Sequence, residues 1–412
     1  MKVLLSAYAC RPNSGSEPGV GWNWALEIAK RGHHVYVVTR RRNQKAIEEF
    51  CTKNKKPENV EFFYYDIPAK LLWLKKLSGT HLYYQLWQYN VSSLVRKLDH
   101  EFNFDILHHI TFGVYRQNTY LHNLRKPLII GPLGGGERMP DYLIKSLPLH
   151  EQLFEHSRLF MNKVAFWNPS LSRSFTAAKS IYLKTRETRS SLPAKYQHKS
   201  IIAKDVGCFP TLESGNQVKS RNGIFRVLFV GRLLLWKGPH LAIEAFRKFH
   251  EIYKDSQLEI IGNGRSKDYL LDLIHKARLE HAVKVVEHIP QTDLFKKFES
   301  SDVFLFPTLH DSSGWVIYEA ISYRLPIVTL NINGPGCILD NAIESSIAID
   351  NMTSSDEIVE SLFQQLKRLY EEPEYYQEIS AKLRHLAVQN SWERVVGNVY
   401  ADIEKDVNLV NT

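Results

Sequence analysis

The chain has 412 residues, which at ~150 residues per domain means two or three domains and excludes a single small binding module. Hydrophobic residues make up 44% and charged residues 24%, close to globular averages, so a collagen-like, low-complexity or disordered chain is excluded. The net charge of +9 is unevenly spread: residues 1–210 hold 31 Lys and Arg against 16 Asp and Glu, whereas the remainder holds 22 against 28, so only the first half is suited to face something anionic.

Four cysteines, Cys10, Cys51, Cys208 and Cys337, stand apart without CxxC or metal-ligand spacing. Neither a disulfide framework nor a zinc site is expected, no metal is assigned, and a reducing cytosol fits. The first residues hold too short an apolar stretch for a signal peptide, and no run of ~18 apolar residues occurs. Any contact with membrane is expected to be made from its surface.

In chain order, strand-length apolar runs alternate with helix-period segments. Lys2–Tyr8 is followed by a helix to Arg31, then by strands at His34–Thr39, Val60–Ile67, Ile106–Thr111, Pro127–Leu133 and Ser180–Lys184. Alternation at this spacing predicts a parallel sheet covered on both faces. Residues 207–222, GCFPTLESGNQVKSRN, lose the periodicity and read as a linker. A second series follows: Phe225–Val230, a helix from about Lys237 to Tyr253, then Gln257–Ile261, Val283–Ile289, Asp302–Pro307 and Pro326–Ile332. In that helix Leu241, Ala242, Ala245, Phe246, Phe249 and Ile252 form one stripe. The expected domains are 1–206 and 223–390, with a C-terminal helix at about 391–412 packing back on the first. Ligands of such open α/β sheets bind at the carboxyl ends of the strands, here in a deep cleft between two doubly wound domains.

The segment Pro68–Leu77, PAKLLWLKKL, mixes Leu71, Leu72, Trp73, Leu74 and Leu77 with Lys70, Lys75 and Lys76. It has two readings: a helix packed on its own sheet, or an interfacial helix whose lysines meet anionic headgroups.

After the first strand, Arg11–Gly21 (RPNSGSEPGVG) leads into a helix with Ser16 as N-cap and Pro18 in the first turn. Gly15 and Ser16 would leave amides bare for a phosphate, although tight strand-to-helix turns need glycine anyway. The loop is not GxGxxG, so a dinucleotide site is disfavoured. The second series opens with VGRLLLWKGPH, where Gly231 and Arg232 end a strand and Lys237 starts a helix. Two cations and a helix dipole there would neutralise a diphosphate; the bland alternative is a solvated surface pair. In LHDSSGWVIYEA, Asp311 follows a strand and Glu319 lies eight residues on, inside a helix beginning near Gly314. The two carboxylates would accept from sugar hydroxyls while the amides of Gly314, Trp315 and Val316 face a leaving phosphate. The bland alternative is that Asp311 caps the helix and Glu319 makes a surface ion pair.

In order and context these residues resemble family 4 glycosyltransferases, of the GT-B type with two Rossmann-like domains. The resemblance covers nearly the whole length. It rests on VGRLLLWKG, on IGNG at Ile261–Gly264, on the Asp311 to Glu319 spacing and on EAISYRLPIV. At the amino end SGSEPGVGWNWALEIAKRGHHVYVVTR, HHITFG and IIGPLGGGE look like the subgroup that builds bacterial cell-surface polysaccharides.

The resemblance implies a hexosyltransferase that moves a sugar from a nucleotide-sugar, UDP- or GDP-linked, with retention at the anomeric carbon and without metal or other cofactor. Arg232 and Lys237 would hold the diphosphate, Glu319 the ribose hydroxyls and Asp311 the donor sugar, with Gly15, Ser16, Gly231 and Gly262 bringing backbone against the donor. Asp311 stands where the family's E-x7-E has its first glutamate, one methylene longer. Asp105-Ile-Leu-His108-His109-Ile110 stands for the family's Asp-x-x-His-x-His, so either His108 or His109 would face the cleft as a catalytic residue, since strand neighbours point to opposite faces. Gly134–Gly136, with Gly135 foremost, and Glu137 would border the acceptor. The acceptor is expected to be a saccharide, lipid-linked, reached from the cytoplasm at the anionic inner face of the cytoplasmic membrane. Competing readings are a sugar-nucleotide epimerase or sugar-phosphate synthase of the same fold, and a basic nucleic-acid-binding protein. The last lacks any RRM or OB pattern, and no nucleic-acid partner is expected.

Overall fold

The computed structural model describes residues 1–67, 73–209, 223–339, 345–347 and 352–408, of which 73–81, 347 and 406–408 are described by their backbone alone. The segment Pro68–Leu77 therefore lies outside the described residues, apart from the backbone of Trp73–Leu77, which opens a helix. Most of the expected linker at 207–222 lies outside them too. No helix among the described residues is long and apolar enough to cross a membrane.

The chain forms two compact units, Met1–Gly136 with Arg158–Val206 and Trp392–Thr412, and Glu137–Ser157 with Gly207–Ser391. The first is a seven-stranded parallel sheet: β1 (Lys2–Ser6), β2 (His34–Arg40), β3 (Val60–Tyr65), β4 (Ile106–His109), β5 (Leu128–Leu133), β6 (Ala178–Leu183) and β7 (Ser200–Ile202), in the order β3-β2-β1-β4-β5-β6-β7. The second has six: β8 (Phe225–Val230), β9 (Ser256–Ile261), β10 (Val283–Val286), β11 (Val303–Phe306), β12 (Ile327–Leu330) and β13 (Ser346–Ile347), in the order β10-β9-β8-β11-β12-β13. Both are doubly wound, with the strand order reversing beside the first strand of each unit. The two edge strands β7 and β13 have no counterpart among the predicted strands, being three and two residues long.

The strands are buried on both faces, which is why they read as unbroken apolar runs. One face of the first sheet carries Leu4, Tyr36, Val38, Leu107 and Ile130 and packs on Tyr83, Tyr84, Trp87, Val91 and Val95 of the helix Trp73–Phe102. On β4 the opposite face turns His108 toward Trp24 of the helix Ser16–Lys30, edge to face at 5.5 Å. Gly21 lets that helix lie close on the chain after β1, since a Cβ there would stand 2.1 Å from the carbonyl oxygen of Ala9. The C-terminal helix Trp392–Asn408 completes the same layer. Its Glu404 takes a two-pronged bond from Arg31 at 3.1 and 2.7 Å and meets His33 Nε2 at 2.9 Å, while Tyr182 OH donates to the Val399 carbonyl at 3.4 Å.

In the second unit the helix after β8 runs Pro239–Ile252, and Leu241, Ala242, Ala245, Phe246 and Phe249 are buried as its stripe requires, while Ile252, at its last turn, is exposed. Residues 137–157 belong to this unit, although their place in the sequence puts them in the first half. Among the contacts that hold them, Asn333 exchanges bonds with the Arg138 backbone at 3.2 Å in both directions, Arg265 donates to Glu151, and Phe154 stacks on Trp236 at 5.4 Å.

Candidate functional site

The sequence motifs of the second unit converge at the carboxyl ends of β8 and β11, neighbouring strands where the order reverses. Such a point leaves a crevice at the sheet edge. Gly231 and Arg232 follow β8 directly, and Arg232 is exposed. Lys237 ends a short 3-10 turn, Leu235–Lys237, two residues ahead of the helix it was expected to start. Gly238 separates the two with a left-handed φ of +75°, and a Cβ there would lie 1.9 Å from the Pro307 carbonyl oxygen. Only glycine permits that turn, and Pro239 then opens the helix at its first position.

The turn delivers Lys237 Nζ to Asp311 Oδ2 at 2.6 Å and to the His310 carbonyl oxygen at 3.4 Å. The other carboxylate oxygen, Oδ1, accepts from the amides of Ser313 and Gly314 at 3.2 and 3.1 Å. Burial, the largest single influence, pushes the Asp311 carboxyl up, but the Lys237 charge, its hydrogen bond and the Gly314 amide together hold it below its ordinary value. Asp311 thus holds the turn that leads into the helix Trp315–Ser322, whose N-cap is Gly314, and pairs a lysine at once; the Gly314 amide expected to face a phosphate is engaged by Asp311 instead.

Glu319 is not a surface ion pair. It is 3% exposed and accepts from the Trp315 indole Nε1 at 2.9 Å. Burial raises its carboxyl to about 7, against the opposing hydrogen bonds of Trp315 and Gln291. Near neutral pH the site therefore holds Arg232, Lys237 and one full carboxylate, with Glu319 close to its midpoint, and the balance favours an anion. Gly262 follows β9 so closely packed that a Cβ would sit 1.8 Å from the Gly231 carbonyl oxygen.

In the first unit both histidines of β4 are fully buried. His108 Nε2 is 2.8 Å from the Gly131 carbonyl oxygen and Nδ1 is 3.0 Å from Tyr400 OH. A carbonyl only accepts, so Nε2 carries the proton and Nδ1 accepts from Tyr400. Both nitrogens are then satisfied, and burial lowers the ring to about 4. His109 Nε2 lies 3.1 Å from Tyr84 OH, which itself accepts from Gln88 at 3.0 Å. Its Nδ1 has no hydrogen-bond partner among the described residues. Burial, then the neighbouring His108, lowers this ring to about 3. Neither histidine is poised to take up a second proton near neutral pH; one ring nitrogen of His109 is unmatched, and the buried Ser6 hydroxyl paired across the strand likewise has no partner among the described residues.

The N-cap of the first helix is Gly15 rather than Ser16, which is exposed as the first helical residue with φ +58°. Glu17, which sequence reasoning passed over, accepts from the amides of Gly113 and Phe112 at 2.8 and 3.1 Å and so ties this loop to the one following β4. Gly135 has φ +105°, and its carbonyl accepts from Asn162 at 3.0 Å; Glu137 is buried in the second unit.

Residues 213–385 match the family described as glycosyl transferases group 1. Over 118 residues the chain is 34% identical to glycogen synthase of Mycobacterium tuberculosis, a stretch covering 29% of this chain and 28% of that protein. Among solved structures it is similar to WaaG, a glycosyltransferase involved in lipopolysaccharide biosynthesis, with a TM-score of 0.61 and 17% identity over 97% of this chain and 99% of that one. It is similar also to HepE of Anabaena, solved with UDP and glucose, at a TM-score of 0.59 and 15% identity over 98% and 100%. The second half of the chain thus matches the group 1 glycosyl transferases, and the chain as a whole has the GT-B fold.

Proposed function

We propose that the protein is a retaining glycosyltransferase that moves a hexose from a UDP- or GDP-sugar to a saccharide acceptor, lipid-linked, in the assembly of a cell-surface polysaccharide at the cytoplasmic face of the membrane. The observation that carries the reading is the Lys237–Asp311 pair at 2.6 Å beside Gly314, at the sheet edge between β8 and β11. In transfer, the anomeric carbon to phosphate-oxygen bond breaks and the acceptor oxygen bonds to the same face of the sugar. The acceptor's proton passes to the departing phosphate oxygen. Arg232 and Lys237 are suited to hold the diphosphate as charge develops on it, a preorganised stabilisation that needs no protein base. Asp311, with Oδ1 fixed by two amides, would keep Lys237 aimed and offer Oδ2 to a sugar hydroxyl. Glu319 would accept from the ribose hydroxyls.

The test is a thermal-unfolding panel with UDP-, GDP- and ADP-sugars, followed by transfer assays with the stabilising donor. One nucleotide series should raise the midpoint in the parent and fail to do so in Lys237→Ala. If none stabilises the parent, the donor-site reading is wrong.

A further inference from the structure

Strand β2 of the first unit ends in a buried cation. Arg40 is 9% exposed, and among the described residues no carboxylate lies within ion-pairing distance of it. Its guanidinium is held in place: Nε donates to the Tyr8 carbonyl at 3.2 Å, Nη1 donates to the Tyr8 hydroxyl at 3.1 Å, and the group lies 3.8 Å over the centre of the Tyr8 ring. Asn43 Nδ2 donates to the same carbonyl at 3.3 Å and to Thr39 Oγ1 at 2.8 Å, which fixes the turn that follows the strand. Tyr8 in turn is wedged edge to face against Tyr84 at 5.0 Å and Trp87 at 5.1 Å.

This arrangement leaves donors unspent. A guanidinium carries five N–H groups, and Nη2 of Arg40 has no partner among the described residues. The Tyr8 hydroxyl accepts from Arg40, so its own hydrogen is still to be placed; burial raises the phenol above its ordinary value and keeps that hydrogen on. Burial also lowers the guanidinium, but an arginine stays charged. A buried cation without a counter-ion is costly, and one fixed this firmly is completed by an anion from outside.

The surrounding charge agrees. Exposed Arg42 acts on both Arg40 and Tyr8, and the carboxylate they feel is Asp66, half-buried after β3, which accepts from the Tyr83 hydroxyl at 3.1 Å. Two cations against one carboxylate leave a positive excess. Residues 68–80, next in the chain, contain lysines but no Asp or Glu to cancel it. Tyr8, Arg40 and Asp66 stand at the carboxyl ends of β1, β2 and β3, neighbouring strands, on the edge where open α/β sheets take ligands.

We propose that Arg40, Arg42 and Tyr8 form an anion site of the first unit that takes a phosphate group carried by the acceptor. Arg40 Nη2 and the Tyr8 hydroxyl would donate to phosphate oxygens while Arg42 supplies the second charge. A phosphate offers three acceptor oxygens and close to two charges, where a carboxylate offers two oxygens and one charge. The acceptor as carrier rests on the proposed function; the binding itself needs no donor.

The experiment is calorimetric titration of the full chain carrying Lys237→Ala, so that the donor site is disabled, with glucose 1-phosphate and with inorganic phosphate. Both should bind, more weakly as salt rises, and glucose should not. Displacement of glucose 1-phosphate by vesicles containing phosphatidylglycerol, and not by pure phosphatidylcholine, identifies a lipid-borne phosphate as the occupant; no displacement identifies a sugar-borne one. Adding Tyr8→Phe, which keeps the ring, or Arg42→Ala, at an exposed position, should weaken phosphate binding about tenfold. Asp66→Asn removes the competing charge and should strengthen it about threefold. If Asp66 is instead the counter-ion of Arg40, that substitution lowers the thermal midpoint without strengthening binding, and the proposal is overturned. Phosphate binding that is absent, or undiminished in both Tyr8→Phe and Arg42→Ala, overturns it equally. A parent chain that no nucleotide-sugar stabilises refutes the donor-site reading alone, since this titration uses neither donor nor Lys237.

Discussion

Replacing Glu319 by Gln isolates the electrostatic cost of the buried carboxyl. Its ordinary value is 4.5 and its folded value about 7, so between these the folded protein holds a proton that the unfolded chain has released. Stability from this group is full below about 4.5 and is lost as pH rises through about 7. At ~1.4 kcal/mol per pH unit the loss comes to about 3 kcal/mol. A glutamine is neutral throughout and still offers Oε1 to the Trp315 indole, so the variant should match the parent near the low end of that window and exceed it by up to about 3 kcal/mol above the high end. Other buried groups of the same unit, such as His240, which burial lowers to about 4, titrate in both proteins and cancel in the difference. The assay is denaturant unfolding of parent and variant across the window, reading the transition of the second unit, with thermal midpoints expected to part by ~6–10 °C at the alkaline end. A variant that retains the parent's pH slope would refute the desolvation argument. Donor binding gives an independent check: ribose hydroxyls favour the charged carboxylate, so donor affinity of the parent should rise with pH through about 7, and the Gln variant should bind weakly with no such slope.

Lys237→Ala and Arg232→Ala should each lower turnover by about ten to a thousandfold with the fold intact, read by initial rates and circular dichroism, and EDTA should leave the parent's rate unchanged. Tyr400→Phe removes the donor to His108 Nδ1 in a fully buried site; the unmatched acceptor should cost ~1–3 kcal/mol in the first unit's unfolding transition. Because burial holds His108 and His109 low, the first unit should lose stability as pH falls below about 6.5 toward the folded values, the opposite sense to Glu319. Gly238→Ala forces a Cβ against Pro307 at a left-handed φ and should destabilise the second unit by more than ~2 kcal/mol, measured by denaturant midpoint.

The two sheets were legible because parallel strands covered on both sides must be apolar throughout, and that pattern survives in runs such as Phe225–Val230. β7 and β13 were not, since two or three residues carry no period. Gly238-Pro239 marks a helix start, yet the 3-10 turn that swings Lys237 onto Asp311 depends on close packing with Pro307, which local sequence does not report. The membership of residues 137–157 hangs on partners such as Arg265 and Asn333, more than a hundred residues away. For the helix Leu149–Val164 the spacing reveals an apolar side but not that Glu151 on its other side is buried, since its partner Arg265 lies 114 residues away. The doublet at His108 and His109 announced alternate faces, while the saturation of one ring and the unmatched nitrogen of the other follow from distant groups, Tyr400, Gly131 and Tyr84.

The helix Trp392–Asn408 lies beyond the entire second unit in the sequence yet closes the layer over Trp24 and His108 in the first. During synthesis, at ~5–20 residues per second, the first unit must wait with part of one sheet face bare while Gly207–Ser391 emerges and folds. The late unit is thus free to mature before the early one, and the early one is the stretch a chaperone would hold. A fragment ending at Val206 should collapse without fixed packing, bind apolar dyes, and regain a cooperative transition when a peptide spanning residues 392–408 is supplied.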